Sequence, residues 1–269
     1  MLAVALYGGL VKLVDPETGV QKWETQPTAA SGGKTSAVMS PSGAVVASVV
    51  HHGDLIAPNL PDSWQLRDAL TGTVLNEIST HGTVGLRTLE FSPCKRWIAS
   101  AGDDHRVLIW DLPVGNAARV LETDGNYLYS LSFSGDGTRL AAATHDGMTS
   151  IWDTATWVMT KTWHGGANVC FSPTNCNLVA TTTNVVTHLW DIATHTVLWD
   201  LYGAGNFAVF SPDGRSVATV LDDELDGGES DGEEQARNLL VVNTDTGDTV
   251  WLLTSHTADV VCASFSVLP

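Results

Sequence analysis

The sequence predicts an all-β chain, a β-propeller of four-stranded antiparallel blades, on three observations. A phrase ending in Phe-Ser-Pro or a near relative recurs at Met39-Ser40-Pro41, Phe91-Ser92-Pro93, Phe133-Ser134-Gly135, Phe171-Ser172-Pro173, Phe210-Ser211-Pro212 and Phe265-Ser266-Val267. A second phrase interleaves with it, an aliphatic residue followed by Trp-Asp. Its clear copies are Ile109-Trp110-Asp111, Ile151-Trp152-Asp153 and Leu189-Trp190-Asp191. Weaker copies stand at Leu13-Val14-Asp15, Leu66-Arg67-Asp68 and Val241-Val242-Asn243. The apolar runs between the phrases are too short for helices, are rich in Val, Ile, Thr and Trp, and are punctuated by turn residues. A unit of roughly 40–45 residues with four strands cannot bury both faces alone, so neighbouring units must stack on it.

The unit from Leu86 shows the pattern most plainly. Its expected strands are Leu86–Phe91, Arg96–Ala101, Arg106–Asp111 and a weaker one over Ala117–Leu121, separated by Ser-Pro, Gly-Asp-Asp and Pro-Val-Gly-Asn. The first unit begins late: Leu2–Leu6, Leu10–Asp15 and Val20–Thr25 read as second, third and fourth strands. Its apolar opening lacks a positive n-region and a small-residue cleavage site, so it reads as a strand and not a signal peptide. The last unit begins with Val260–Ser266 and then stops. Pairing that strand with the first unit would close six blades, join the N- and C-termini and remove two open edges. A fragment of a seven-bladed propeller is the alternative. Either way residues 1–269 are expected to form one domain, with an acidic insertion at 222–234.

On these residues the chain resembles the WD-repeat family over essentially its whole length. The resemblance implies a hydrogen-bonded network of His, Ser or Thr, Asp and Trp that pins neighbouring strands. Asp104 and Asp146 stand six positions before Trp110 and Trp152, as in the family, whereas Asn184 departs from the pattern before Trp190. His81, His164 and His256 precede a first strand as the family's His does, without its Gly. The resemblance therefore makes Asp104, Trp110, Asp146, Trp152, Trp190 and His256 structural residues and not catalytic acids and bases. Half of the aromatic residues are Trp, ten against four Tyr and six Phe. The repeat accounts for most of them: Trp110, Trp152 and Trp190 are expected between blades, and Trp23, Trp199 and Trp251 stand at matching places in fourth strands.

Charge excludes several function classes. The chain carries 30 acidic against 13 basic residues, a formal −17. So few cations cannot line a phosphate backbone or an acidic membrane surface, so neither nucleic acid nor membrane is an expected partner. No apolar run approaches the ~18 residues of a membrane span. Cys94, Cys170, Cys176 and Cys262 match no metal knuckle and no disulfide framework, and read as small core residues. A cytoplasmic setting follows, with the nucleus as the alternative.

Two units are longer than the rest, each between its second and third strands. One insertion spans Val50–Ser63 and carries His51, His52 and Asp54; the other spans Leu221–Arg237. Long loops on a rigid scaffold suit partner binding, although tolerated surface length explains them equally well. The second insertion holds eight acidic residues: Asp222, Asp223, Glu224, Asp226, Glu229, Asp231, Glu233 and Glu234. Asp222, Glu224, Asp226, Ser230 and Glu233 fall at calcium-loop offsets, with Gly227 at the turn. Glu at the third offset, Glu229 in place of an apolar anchor and the absence of expected flanking helices favour a solvated acidic loop instead. Ser230 also heads a short acidic stretch of the kind acidophilic kinases select. Adjacent His51 and His52 would point to opposite faces of a strand, so metal ligation is disfavoured there.

The expected function is a non-enzymatic scaffold or adaptor holding protein partners in a multiprotein complex, with no cofactor and no metal. The acidic insertion favours a partner with a basic surface. Asp111, Asp153 and Asp191 are not followed by the x-Arg of a Trp-Asp-x-Arg tetrapeptide, which weakens a ubiquitin-ligase receptor reading. Two alternatives remain. One is a quinoprotein-like propeller enzyme, because Asp15-Pro16-Glu17-Thr18-Gly19 before Trp23 and Asp245-Thr246-Gly247 before Trp251 resemble that family's docking motif. The other is a calcium-modulated adaptor.

Overall fold

A computed structural model describes residues 2–5, 10–15, 18–25, 36–50, 63–79, 85–112, 116–123, 126–221 and 238–253. The secondary structure among them is all strand, and the chain divides into two compact units, residues 1–131 and 132–269. In the first unit, β1 (Leu2–Ala5), β2 (Val11–Val14) and β3 (Gln21–Glu24) form a three-stranded antiparallel sheet. A four-stranded sheet follows from β4 (Ala37–Met39), β5 (Val45–Val50), β6 (Ser63–Asp68) and β7 (Val74–Ser79). The next comprises β8 (Leu86–Phe91), β9 (Trp97–Gly102), β10 (Arg106–Asp111) and β11 (Asn116–Glu122). β12 (Leu128–Phe133) runs across the unit boundary and forms a sheet with β13 (Arg139–Thr144), β14 (Met148–Asp153) and β15 (Met159–His164). The second unit continues with β16 (Asn168–Phe171), β17 (Leu178–Thr182), β18 (Val186–Asp191) and β19 (Thr196–Tyr202). Its last described sheet is β20 (Ala204–Phe210), β21 (Ser216–Leu221), β22 (Asn238–Asn243) and β23 (Thr249–Leu253).

The two repeated phrases occupy the two turns at one end of each sheet. Ser40, Ser92, Ser134 and Ser211 are buried, and each hydroxyl accepts the backbone N–H five residues on, at 2.9–3.2 Å. One side-chain oxygen thus fixes the turn from first to second strand, which explains a buried polar residue after Phe. The acid of the second phrase holds the next turn. Asp68 Oδ1 accepts from Thr71 N and Oγ1 at 2.8 and 2.9 Å, Asp153 Oδ1 from Thr156 N and Oγ1 at 2.8 and 2.7 Å, and Asp191 Oδ1 from Ala193 N at 2.8 Å.

Register shows that the weak copies are structural equivalents of the strong ones. The third-to-fourth-strand ladder shifts at Leu13/Val14, Leu66/Arg67, Ile109/Trp110, Ile151/Trp152, Leu189/Trp190 and Val241/Val242. A bulge therefore stands at the same place whether or not Trp occupies it. The core lies between successive sheets: Leu13 with Val46 and Ala69, Trp64 with Leu89 and Trp110, Ile151 with Phe171 and Val179, Leu189 with Phe210 and Val242.

Among the described residues the late-starting first sheet has three strands, at the places its sequence implies. The expected fourth strand of the Leu86 unit is longer than foreseen, seven residues over Asn116–Glu122. The closing strand Val260–Ser266 lies outside the described residues. Cys94 departs from the core expectation and is exposed. It occupies the place two residues after a turn serine that Asp136 and Asp213 fill elsewhere, with its Sγ 3.2 Å from Ser92 Oγ. Cys170 and Cys176 are half-buried free thiols.

Candidate partner-binding surface

The insertion at 51–62 is rooted between β5 and β6, and that at 222–237 between β21 and β22, the second-to-third-strand connection in each sheet. His51, His52, Asp54 and all eight acidic residues from Asp222 to Glu234 lie outside the described residues, as do Ser230 and His256. The equivalent connection in the third sheet, Asp103–His105, is described and carries a compact surface cluster. Gly102 lets this turn approach closely, because a Cβ there would lie 2.1 Å from Gly85 O. Asp103 N donates to that same carbonyl at 2.9 Å.

Asp103 then receives Arg87 from β8, through Nε to Oδ1 and through NH2 to Oδ2 at 3.0 Å. The Arg87 carbon centre sits 4.7 Å over the ring of Tyr129 on β12. Hydrogen bonding to Asp103 raises the Arg87 pKa and outweighs the opposing burial, so the guanidinium stays charged. His105 is held at φ 63° and stacks on Tyr127 with centroids 5.5 Å apart and planes 18° from parallel. Tyr127 and Tyr129 are 42% and 37% exposed, while Leu128 between them is buried. Tyr and Arg presented on a rigid sheet end are the side chains that dominate protein interfaces, offering apolar area and polar tips at low entropic cost. Sequence reasoning missed this cluster. Its trace was the Tyr127-Leu128-Tyr129 alternation, which places two of the four tyrosines on one strand face.

The residues assigned by resemblance to a strand-pinning network sit as follows. Trp110 Nε1 donates to Ser100 Oγ at 2.8 Å, and Trp190 Nε1 to Thr181 Oγ1 at 3.0 Å, whose hydroxyl donates to Gly165 O at 2.7 Å. Trp152 pairs with Leu140, and the residue two further along β13 is buried Ala142, where those sheets carry a hydroxyl. Asp104 accepts from Arg106 Nε at 3.1 Å, and Asp146 accepts from Thr144 Oγ1. Asn184 is exposed, and His164 ends β15 on the surface.

The docking phrases likewise resolve into structure. Gly247 lies under Trp199 of the preceding sheet and not under Trp251, and Gly72 lies under Trp23. Trp23 Nε1 donates to Ala69 O at 2.9 Å and Trp199 Nε1 to Thr244 O at 2.8 Å, so these two fourth-strand tryptophans each fasten their sheet to the next.

Residues 72–111 and 116–153 match the family model described as WD domain, G-beta repeat. Residues 72–153 carry two WD repeats. Each WD repeat is staggered against the sheets: residues 72–111 take in the fourth strand β7 and then β8, β9 and β10 of the following sheet. Among relatives, Periodic tryptophan protein 2 of Arabidopsis thaliana is 28% identical over 127 residues, 44% of this chain and 13% of that protein. Transducin beta-like protein 2 of Homo sapiens is 30% identical over 39% of this chain and 25% of its own length. U3 small nucleolar RNA-associated protein 21 of Saccharomyces cerevisiae is 35% identical over 38% of this chain and 11% of its own. The matched WD-repeat stretch thus spans a quarter or less of each of these relatives. Among the described residues no helix is long and apolar enough to cross a membrane.

Proposed function

We propose that the protein is a non-enzymatic WD-repeat scaffold that holds protein partners within a larger complex. The observation that carries this reading is the cluster of half-buried Arg87 with exposed His105, Tyr127 and Tyr129, gathered around a connection equivalent to the two inserted loops. The recurring polar residues support it from the other side. Turn serines and turn acids are engaged in their own turns, and the indole N–H groups of Trp23, Trp110, Trp190 and Trp199 in strand and sheet contacts, which leaves the connections as the variable surface. A basic partner surface fits the eight acidic residues of 222–234, and the relative named for U3 small nucleolar RNA keeps a nuclear setting beside the cytoplasmic one. A protein partner is favoured over nucleic acid, because thirteen cations against 30 acidic residues are too few to line a phosphate backbone.

The test is affinity capture from native lysate with three proteins: wild type, Tyr127→Ala/Tyr129→Ala, and a chain lacking Asp222–Glu234. At least one variant is expected to lose partners that wild type retains. Identical recovery by all three would remove both surfaces as recognition elements.

A further inference from the structure

One slot recurs at three joints between successive sheets. It is held by the fourth-strand residue paired with the position just before the bulge: Trp23 against Leu13, Lys161 against Ile151, Trp199 against Leu189. Each of these side chains donates to the carbonyl one residue beyond the Asp or Asn that ends the third strand of the following sheet. The acceptors are Ala69 for Trp23, Ile192 for Lys161 and Thr244 for Trp199. Where the slot is Trp, its indole lies on a glycine three residues past that carbonyl. A Cβ on Gly72 would meet Trp23 Cγ at 2.9 Å, and one on Gly247 would meet Trp199 Cγ at 3.0 Å. Lys161 brings a cation and a thin stem in place of an indole, and beside it the two sheets leave a cavity of about 350 Å³. That is within the range of ligand pockets, roughly 300–1,000 Å³.

Arg139 joins Lys161 in the lining, and both cations reach from one sheet to the next. Arg139 NH1 donates to Cys176 O at 2.7 Å and to Asn177 Oδ1 at 2.9 Å, while Lys161 Nζ donates to Ile192 O. These acceptors are neutral, and among the described residues neither cation is in a salt bridge. Asp153 also lines the cavity, but its Oδ1 is occupied by Thr156 N and Oγ1 in its own turn. The lining therefore holds a surplus of one positive charge, in a chain whose formal charge is −17. Buried Ile151 and Ile192 give it an apolar wall, and exposed Ala193 opens it to solvent. We propose that this cavity takes the C-terminal residue of a partner polypeptide, with its α-carboxylate on Arg139 and Lys161 and an aliphatic side chain against Ile151 and Ile192. Carboxylate and side chain branch from one carbon at a C-terminus, so the cationic and apolar parts of the lining are filled together. Charge-assisted hydrogen bonds from two anchored cations are the strong kind, and a surplus of one charge suits a monoanion better than a phosphate dianion. The proposal rests on the reading of the protein as a holder of protein partners, but it uses another surface. The cavity lies at the end of the sheets that carries the Phe-Ser-Pro and Trp-Asp turns, whereas the Tyr127 cluster gathers around a second-to-third-strand connection.

Isothermal titration of the full chain with synthetic peptides tests the site. Acetyl-Gly-Gly-Leu with a free carboxylate is expected to bind saturably. Its C-terminal amide should bind at least about tenfold more weakly, the loss of one charge-assisted contact. Acetyl-Gly-Gly-Glu-amide, which offers only a side-chain carboxylate, should be weaker than the free acid, and inorganic phosphate should not displace that acid. Lys161→Met keeps the stem and removes the cation, whereas Ala193→Trp obstructs the cavity from its exposed side and leaves both cations in place. Each is expected to weaken the free acid by about tenfold or more, while Tyr127→Ala/Tyr129→Ala binds it like wild type. Should Lys161→Met fail to fold, Ala193→Trp carries the test. A free acid that does not bind, an amide or Glu peptide that binds equally well, displacement by phosphate, or folded variants that bind like wild type would each overturn the proposal. Such a failure leaves the lysate capture untouched, because that experiment reads the Tyr127 surface and the acidic insertion.

Discussion

Ser134 is buried beneath the turn that follows β12, and its hydroxyl donates to Asp136 Oδ1 at 2.6 Å while accepting Arg139 N at 2.9 Å. Partial burial pushes the Asp136 carboxyl up. Hydrogen bonds from Ser134, from Thr138 N and Oγ1, and from Cys176 together outweigh it and hold the pKa at about 2. The folded state therefore binds that proton less readily than the unfolded one. Its stabilisation is complete above the unfolded value of 3.8 and is lost as pH falls through 2. Ser134→Ala is expected to cost about 1–2 kcal/mol at neutral pH, measured by urea unfolding. It should also flatten the acid limb of the stability profile. Glu90 on β8 behaves in the opposite sense, since burial pushes its carboxyl from 4.5 up to about 8. Between those values the folded chain holds a proton that the unfolded chain releases, so stability falls as pH rises through that window. Glu90→Gln should remove this slope and stabilise the protein by roughly 1–3 kcal/mol above pH 8. An unchanged slope in urea midpoints against pH would refute a buried carboxyl.

Where one sheet meets the next, the Lys161 slot differs from its Trp counterparts in a measurable way. A cavity of about 350 Å³ opens there, lined by Arg139, Ile151, Asp153, Thr160, Lys161, Ile192 and Ala193. A lysine stem fills less of this space than an indole would. The residue four past Asp191, where the Trp joints have glycine, is His195, held at φ 60° and in ring contact with Trp163 and Trp190. Lys161→Trp alone should gain little, because a Cβ at this place obstructs the indole, as the Gly72 and Gly247 geometry shows. Adding His195→Gly clears that path and removes a strained φ worth about 1 kcal/mol. The two changes should therefore couple favourably by about 0.5–3 kcal/mol in a double-mutant cycle read by thermal or urea unfolding. Strict additivity would mean that the slot does not work in this way.

The molecule as a whole carries its charge unevenly. Eight acidic residues in 222–234 leave 22 acidic against 13 basic residues elsewhere, a formal −9 for the rest of the chain. Leu221 and Asn238 pair directly across the base of that insertion. Deleting Asp222–Glu234 leaves a three-residue connection of a length that hairpins use readily. The thermal midpoint is expected to move by less than about 5 °C, because loop length alters stability only weakly. A large loss on calorimetry would show that the insertion packs on the sheets. The sequence by itself determined that the chain is built of short strands in repeated units, where the Ser-Pro and Trp-Asp turns of the described residues fall and which of those residues are copies of one another. These follow from local chemistry: a serine or an acid that bonds its own turn, and a bulge at a fixed step. Even Val14, Arg67 and Val242, which are not Trp, were placed correctly by their neighbours. Only the tertiary structure decided that Trp199 meets Gly247, that Lys161 leaves a cavity, and that Arg87, His105, Tyr127 and Tyr129 form one surface. Those pairings join strands far apart in sequence, and they depend on burial and stacking geometry that no spacing of residues encodes.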